Sequence, residues 1–164
     1  MRGLKVVVEP GRSLVAAHGV LCAKVISWKR SATDAGELRW LIIDAGMNDL
    51  MRPATYQALH RIEPMDLVPN ATATRYRVVG PVCESSDDFG AHPFEEVPAF
   101  VVIRDAGAYG FTMASEYNGR GLPAEVFLSG GRVVEVSKGG SVEEWVSRRV
   151  GIQSEWKASG GRAE

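Results

Sequence analysis

Apolar residues come in short blocks separated by polar, glycine-bearing and proline-bearing stretches, and most blocks have the length of a strand rather than of a helix. Lys5-Val6-Val7-Val8 reads as a strand buried on both faces, the kind found in a parallel sheet. Gly19 to Trp28 and Arg39 to Asp44 are β-rich, and the polar stretch Lys29 to Glu37 between them predicts an antiparallel pair. Arg52 to Ile62 has Pro53 near a helix start and Tyr56, Leu59 and His60 at helical spacing, which predicts a short helix. Pro64 and Pro69 interrupt the next segment, after which Arg75 to Val79 and Pro98 to Ile103 read as strands. Gly107 to Tyr117 reads as a tight turn leading into a helix. Ala124 to Leu128 and Arg132 to Val136, joined by Ser129-Gly130-Gly131, form the clearest hairpin signal. Ser141-Val142-Glu143-Glu144 is a Ser-x-x-Glu capping box opening a helix to about Val150, and the tail from Gln153 is expected to fray.

A length of 164 residues suits one domain with a real core. A formal net charge of −1 leaves no broad basic field, so nucleic acid and anionic lipid are not expected partners. No apolar run approaches a membrane span, and no signal-peptide pattern opens the chain, which makes the cytoplasm the default location. Cys22 and Cys83 are the two cysteines, too few for a disulfide framework. Neither has a neighbour at metal-ligand spacing, and His18, His60 and His92 are scattered, so no metal site is expected.

Four motifs carry chemistry. Glu9-Pro10-Gly11-Arg12 follows the first apolar run; Gly11 lets backbone amides approach an anion, and Arg12 pairs with carboxylate or phosphate through parallel hydrogen bonds. Taken alone, the same residues also suit a turn with a solvent-facing arginine. Arg52 and Tyr56, four residues apart, share one helix face and suit the grip of a carboxylate, as they also suit an ordinary amphipathic helix. Val82-Cys83-Glu84-Ser85-Ser86-Asp87 sets a thiol, carboxylates and hydroxyls on a loop after Gly80-Pro81. Tyr109, flanked by Gly107-Ala108 and Gly110, has small neighbours that allow a ligand close to its phenol. Cys22, in mid-strand, reads as a buried thiol without chemistry.

In this order, the segments EPGRSLVAAHG, DAGMNDLMRPATYQALH, VVGPVCESSD and DAGAYGFTMASEYN resemble the C-terminal portion of the diaminopimelate decarboxylase family. That family belongs to the fold-type III pyridoxal-phosphate decarboxylases, and the resemblance runs through about residues 5 to 150. It implies a mainly β domain with a few short helices, the C-terminal β-barrel or sandwich of the alanine racemase/ornithine decarboxylase type. Residues 1–12 would be the last strand of an absent (β/α)8 barrel, 13–152 the β domain with substrate and dimer-interface motifs, and 153–164 a frayed tail. Pyridoxal 5′-phosphate is the implied cofactor, with Glu9, Pro10, Gly11, Arg12 and Tyr109 beside it. Arg12, Arg52, Tyr56, Glu84 and Tyr109 are the implied substrate contacts. Cys83 is the implied catalytic acid, on a loop that in the family crosses a homodimer interface into the partner's site. His60 fits the family pattern and is read as structural, and Tyr117 as a packing residue. The chain departs from the family at Ser86 and at Pro98-Ala99, where glycine and Gly-Asp are usual. It departs also at Glu116, where asparagine is usual, and at His18, where a small residue is.

The implied reaction converts meso-2,6-diaminopimelate to L-lysine and carbon dioxide. A cation at Arg52 would repel a simple terminal amine, whereas Arg52 with Glu84 complements a zwitterionic far end. The lysines Lys5, Lys24, Lys29, Lys138 and Lys157 do not resemble the family's cofactor-lysine motif, so no turnover by the isolated chain is expected. Three roles follow: one part of a working decarboxylase completed by an N-terminal barrel half, a non-catalytic module that pairs with intact subunits, or a truncated-gene remnant.

Overall fold

The computed structural model describes residues 3–33, 36–66 and 73–158. Their chain forms two compact units, one running through Met113 and one beginning at Ala114.

The first unit is built on a six-stranded sheet. Its strands are β1 (Leu21–Thr33), β2 (Gly36–Ile43), β3 (Ile62–Pro64), β4 (Thr74–Val79), β5 (Asp88–Phe94) and β6 (Phe100–Ile103), in the order β3-β6-β1-β2-β4-β5. The predicted pairing of the first two strands is present and antiparallel, with Trp28 opposite Leu41 and Arg30 opposite Arg39. Both strands run further into the expected loop than the polar residues indicated. Side-chain contacts accompany it: Lys29 of β1 lies over the Trp40 ring of β2, and along β2 Arg39 Nε bonds Glu37 at 2.5 Å, so polar side chains line an exposed part of the ladder.

Period-two burial produces the core. Leu41 and Ile43 of β2, Val78 of β4, and Val101 and Ile103 of β6 are fully enclosed and alternate with half-buried or exposed neighbours. Phe94 closes this layer, meeting Tyr76 edge-on with ring centroids 6.2 Å apart. Both strand prolines, Pro64 and Pro93, fall on edge strands, where a missing N–H interrupts no inner ladder.

Strand direction places the chemistry. β1 is antiparallel to both β2 and β6, and β2 is parallel to β4, so β2, β4 and β6 all run the same way. Their C-terminal ends lead into residues 44–52, 80–87 and 104–110. The chain also enters β1 at that end, because Leu21 pairs with Ile103. Three of the four motifs and the approach to the fourth thus gather at one end of the sheet.

Several expectations are corrected. Residues 4–8 form no strand, and Val6, Val7 and Val8 are exposed. Among the described residues they have no ladder partner, and a strand needs one. The helix α1 stops at Tyr56 rather than Ile62, because Gln57 turns left-handed (φ 52°) and its N–H caps the carbonyl of Pro53. β3 and β5 form where no strand was expected. Gly107 to Tyr117 holds a tight turn and a 3-10 turn at Phe111–Met113, without an α-helix. Cys22 is exposed on β1 rather than buried. The expected break at Pro69 lies outside the described residues.

The second unit matches its sequence closely. Strands β7 (Glu125–Ser129) and β8 (Arg132–Ser137) pair about Gly130 and Gly131, both at positive φ, as a tight two-residue hairpin turn requires. The helix α2 (Val142–Ala158) opens on the predicted reciprocal cap: the Glu144 N–H donates to Ser141 Oγ, and the Ser141 N–H donates to Glu144 Oε2, each at 3.1 Å. It runs past the expected end at Val150 into the segment expected to fray; residues 159–164 lie outside the described residues.

Candidate functional site

The segment 9–19 approaches the sheet through two 3-10 turns, Arg12–Leu14 and Ala16–His18. Glu9, Pro10 and Gly11 are exposed in the irregular stretch before them, and Arg12 is half-buried. Arg12 Nη2 donates to the carbonyl of Asp105 at 3.2 Å, tying this segment to the loop after β6. The two segments touch closely. The N–H of Gly107 donates to the carbonyl of Ala16 at 3.0 Å and that of Ala106 to Gly19 at 2.9 Å. A Cβ on Gly107 would lie 2.7 Å from Gly19 N and overlap the Val15 carbonyl, so only glycine allows this approach.

That loop presents Tyr109. Its backbone is held at φ 59°, a region a bulky residue occupies at a cost of about 1 kcal/mol or more, while Ala108 and Gly110 on either side are buried. The Tyr109 ring is half-exposed, and its hydroxyl faces Gly11: a Cβ built there would stand 3.9 Å from Tyr109 Oη. On the other side the guanidinium carbon of Arg52 is 5.6 Å from the Tyr109 ring centre and 5.4 Å from that of Tyr56. Arg52 and Tyr56 sit on α1 as their spacing indicated, and two aromatic rings hold the cation. Arg12, Arg52, Tyr56 and Tyr109, drawn from three distant motifs, therefore form one group.

Arg12 Nε and Arg52 Nε are both buried without a hydrogen-bond partner among the described residues. Two guanidinium N–H donors, a phenol and an open glycine backbone suit phosphate or carboxylate oxygens.

Cys83 and Glu84 occupy the exposed tip of the neighbouring loop, residues 80–87. Backbone bonds close the tip: Glu84 N–H to the Val82 carbonyl at 2.8 Å, Asp87 N–H to Glu84 at 3.1 Å, and Gly80 N–H to Asp87 at 3.1 Å. Asp87, whose own role the motif does not disclose, is 3% exposed. Its Oδ1 accepts the Met47 N–H and its Oδ2 the Val82 N–H, each at 2.6 Å. One carboxylate thereby joins the loop after β4 to the loop after β2. The signal available was an aspartate four residues beyond Cys83, placed to take backbone N–H groups at a turn.

His60 is buried, with Nδ1 2.8 Å from the Arg104 carbonyl, so Nδ1 carries the proton. That bond ties the exit of α1 to the start of the Tyr109 loop. Tyr117 is half-exposed in the second unit.

Comparison with known proteins adds the following. The profile of the family described as pyridoxal-dependent decarboxylase, C-terminal sheet domain, matches residues 15–107. The diaminopimelate decarboxylase of Zymomonas mobilis is 46% identical over 143 residues, which cover 85% of this chain and 32% of that protein. A crystal structure of a diaminopimelate decarboxylase superposes with a TM-score of 0.77 at 35% identity, over 86% of this chain and 36% of that one. That of the Helicobacter pylori enzyme complexed with L-lysine does so at 0.71 and 37%, over 86% and 34%. The chain thus spans about a third of the length of the relatives it matches.

Proposed function

This chain belongs to the pyridoxal-dependent decarboxylase family through its C-terminal sheet domain, and from that premise we propose that it supplies the substrate-binding and proton-donating part of a diaminopimelate decarboxylase. The observation that carries the reading is Arg52, seated between Tyr56 and Tyr109 with its Nε unpaired. A buried donor without a partner costs about 1–3 kcal/mol, and a bound carboxylate removes that cost.

In the proposed reaction meso-2,6-diaminopimelate loses carbon dioxide from one end and leaves as L-lysine. Pyridoxal 5′-phosphate supplies the electron sink when bound. Its lysine anchor and the remaining walls belong to the barrel portion that the family places before this domain. Gly11, Arg12 and Tyr109, with Glu9 and Pro10 leading into them, would receive the cofactor's phosphate side, and the unpaired Arg12 Nε donor and the Tyr109 hydroxyl facing Gly11 fit such an anion. Arg52 and Tyr56 take the far carboxylate of the substrate, and Glu84 takes the far ammonium. The Cys83 thiol gives its proton to the carbon that has lost carbon dioxide. The electron pair of the broken bond becomes the new C–H bond, and water reprotonates the thiolate.

Exposure of Cys83 and Glu84 at a loop tip supports delivery into a neighbouring subunit's site, so the working form is a homodimer, or this chain assembled with a barrel half. No helix of the described residues is long and apolar enough to cross a membrane; a cytoplasmic enzyme is the reading. Mixing this chain with a separately produced barrel half, pyridoxal phosphate and meso-diaminopimelate tests the proposal. L-lysine is expected from the mixture and from neither half alone, and an assembled complex that forms none refutes it.

A further inference from the structure

We propose that Asp87 is the positioning residue of the proton-donor loop: its carboxylate clamps the Cys83-Glu84 tip to the loop that leads into α1. The inference rests on the function proposed above and gives a task to a buried charge that function does not use.

The clamp joins backbone groups distant in sequence. Met47 follows β2 and Val82 follows β4, and their N–H groups converge on the two oxygens of one side chain, each at 2.6 Å. Bonds of that length to an ionised acceptor are charge-assisted and about twice as strong as neutral ones. Ser86 Oγ adds a contact to Met47 Sδ at 3.4 Å between the same two loops. Asp87 also accepts the Gly80 N–H on its own carbonyl, so it is fixed at both backbone and side chain.

Glycines shape the cradle. A Cβ on Gly80 would stand 2.5 Å from Asp87 Oδ1 and 2.6 Å from Gly46 Cα; one on Gly46 would stand 2.9 Å from Val82 Cγ2. The loops therefore approach closely around the carboxylate, Gly80 against the Gly46 backbone and Gly46 against the Val82 and Asn48 side chains. Asp49 fixes the far wall, its Oδ2 accepting the Gly46 N–H at 2.8 Å. Cys83 lies one residue beyond Val82, so any slackening at the Val82 N–H moves the thiol, whereas Arg52 keeps its own hold between Tyr56 and Tyr109.

Proton transfer is sensitive to such movement: a misplacement of about 1 Å lowers a rate by about 100-fold. Loss of the clamp is therefore expected to slow the step that uses Cys83 and to spare the binding that uses Arg52. Asp87→Asn keeps the shape but turns an NH2 group toward a backbone N–H. In this chain, hydrogen exchange at the Met47 and Val82 amides is expected to rise together, with the inner strands unchanged. In the decarboxylase reconstituted with the barrel half, kcat is expected to fall by about 10- to 100-fold with KM within about twofold. The solvent deuterium isotope effect on kcat is expected to grow as proton delivery becomes limiting, which simple loss of folded protein would not produce.

If D87N does not fold, G46A carries the same test, because its Cβ presses the two loops apart with the carboxylate intact. Faster amide exchange with unchanged kcat and isotope effect, in an active wild-type complex, would overturn the positioning role and leave the proposed function standing. Unchanged exchange at both amides would overturn the clamp itself. A wild-type complex that forms no lysine would overturn the parent reading, and the role of Asp87 in catalysis with it.

Discussion

Replacing Arg52 with glutamine separates recognition of the far carboxylate from general scaffolding. Arg52 stands 5.4 Å and 5.6 Å from two aromatic rings and holds an Nε donor without a partner. The rings, worth roughly 0.5–1 kcal/mol each at exposed sites, hold the guanidinium and not the ligand. In the proposed function, what the substrate feels is the charge-assisted pairing. Losing about 2–3 kcal/mol of it lowers kcat/KM for diaminopimelate by about 30- to 150-fold. The assay is lysine formation by the reconstituted decarboxylase, with L-lysine and 1,5-diaminopentane as competing inhibitors. L-lysine retains the far carboxylate, so its inhibition should weaken in step with diaminopimelate. The diamine has no carboxylate, and its inhibition should hold within about twofold of wild type on the same pairing argument. Equal weakening of both inhibitors would rule out carboxylate recognition by Arg52, because a guanidinium that merely supports Tyr56 and Tyr109 would affect every ligand alike.

Cys83→Ala should lower kcat by about 100- to 10,000-fold with KM for diaminopimelate little changed, measured as lysine release; a loss confined to KM would count against a proton donor. Gly107→Ala, whose Cβ would overlap the Val15 carbonyl, should destabilise the first unit by roughly 1–3 kcal/mol in urea unfolding, and an unchanged midpoint would contradict the close approach to Gly19. The Glu143 carboxyl in the first turn of α2 is held below its ordinary value, first by a backbone hydrogen bond and then by Ser141. A lowered folded value means its contribution is present above the unfolded carboxylate range and is lost as pH falls through the folded value. Helicity of α2 by circular dichroism should therefore decline on acidification below that range, and more steeply than in Glu143→Gln.

Where local pattern and structure agree, the determining interactions are short-range. The hairpin β7–β8 turns on two adjacent glycines, and α2 opens on a cap whose partners are three residues apart. Arg75 to Val79 reads as a strand because its alternation survives in the burial of Tyr76 and Val78. Sequence alone misjudged features decided by distant partners. Val6 to Val8 have strand chemistry but no neighbouring ladder among the described residues. β5 contains aspartate, glycine, histidine and proline, and it exists because β4 offers it a register from Thr74 opposite Phe94 to Val79 opposite Asp88. The motif residues Arg12, Arg52, Tyr56 and Tyr109 were legible singly, and their convergence depends on β2, β4 and β6 running in one direction. Asp87 stayed hidden for the same reason, since half of its meaning is Met47, 40 residues earlier.

The proposed role of this domain is to direct a decarboxylase toward a substrate with a zwitterionic far end. Competition between meso-diaminopimelate and L-ornithine in the complex of this chain with the barrel half tests it most directly, with lysine and putrescine both quantified. Lysine is expected as the product, with little or no putrescine, and R52Q is expected to lose that preference. Putrescine formed as readily as lysine by the wild-type complex would contradict it.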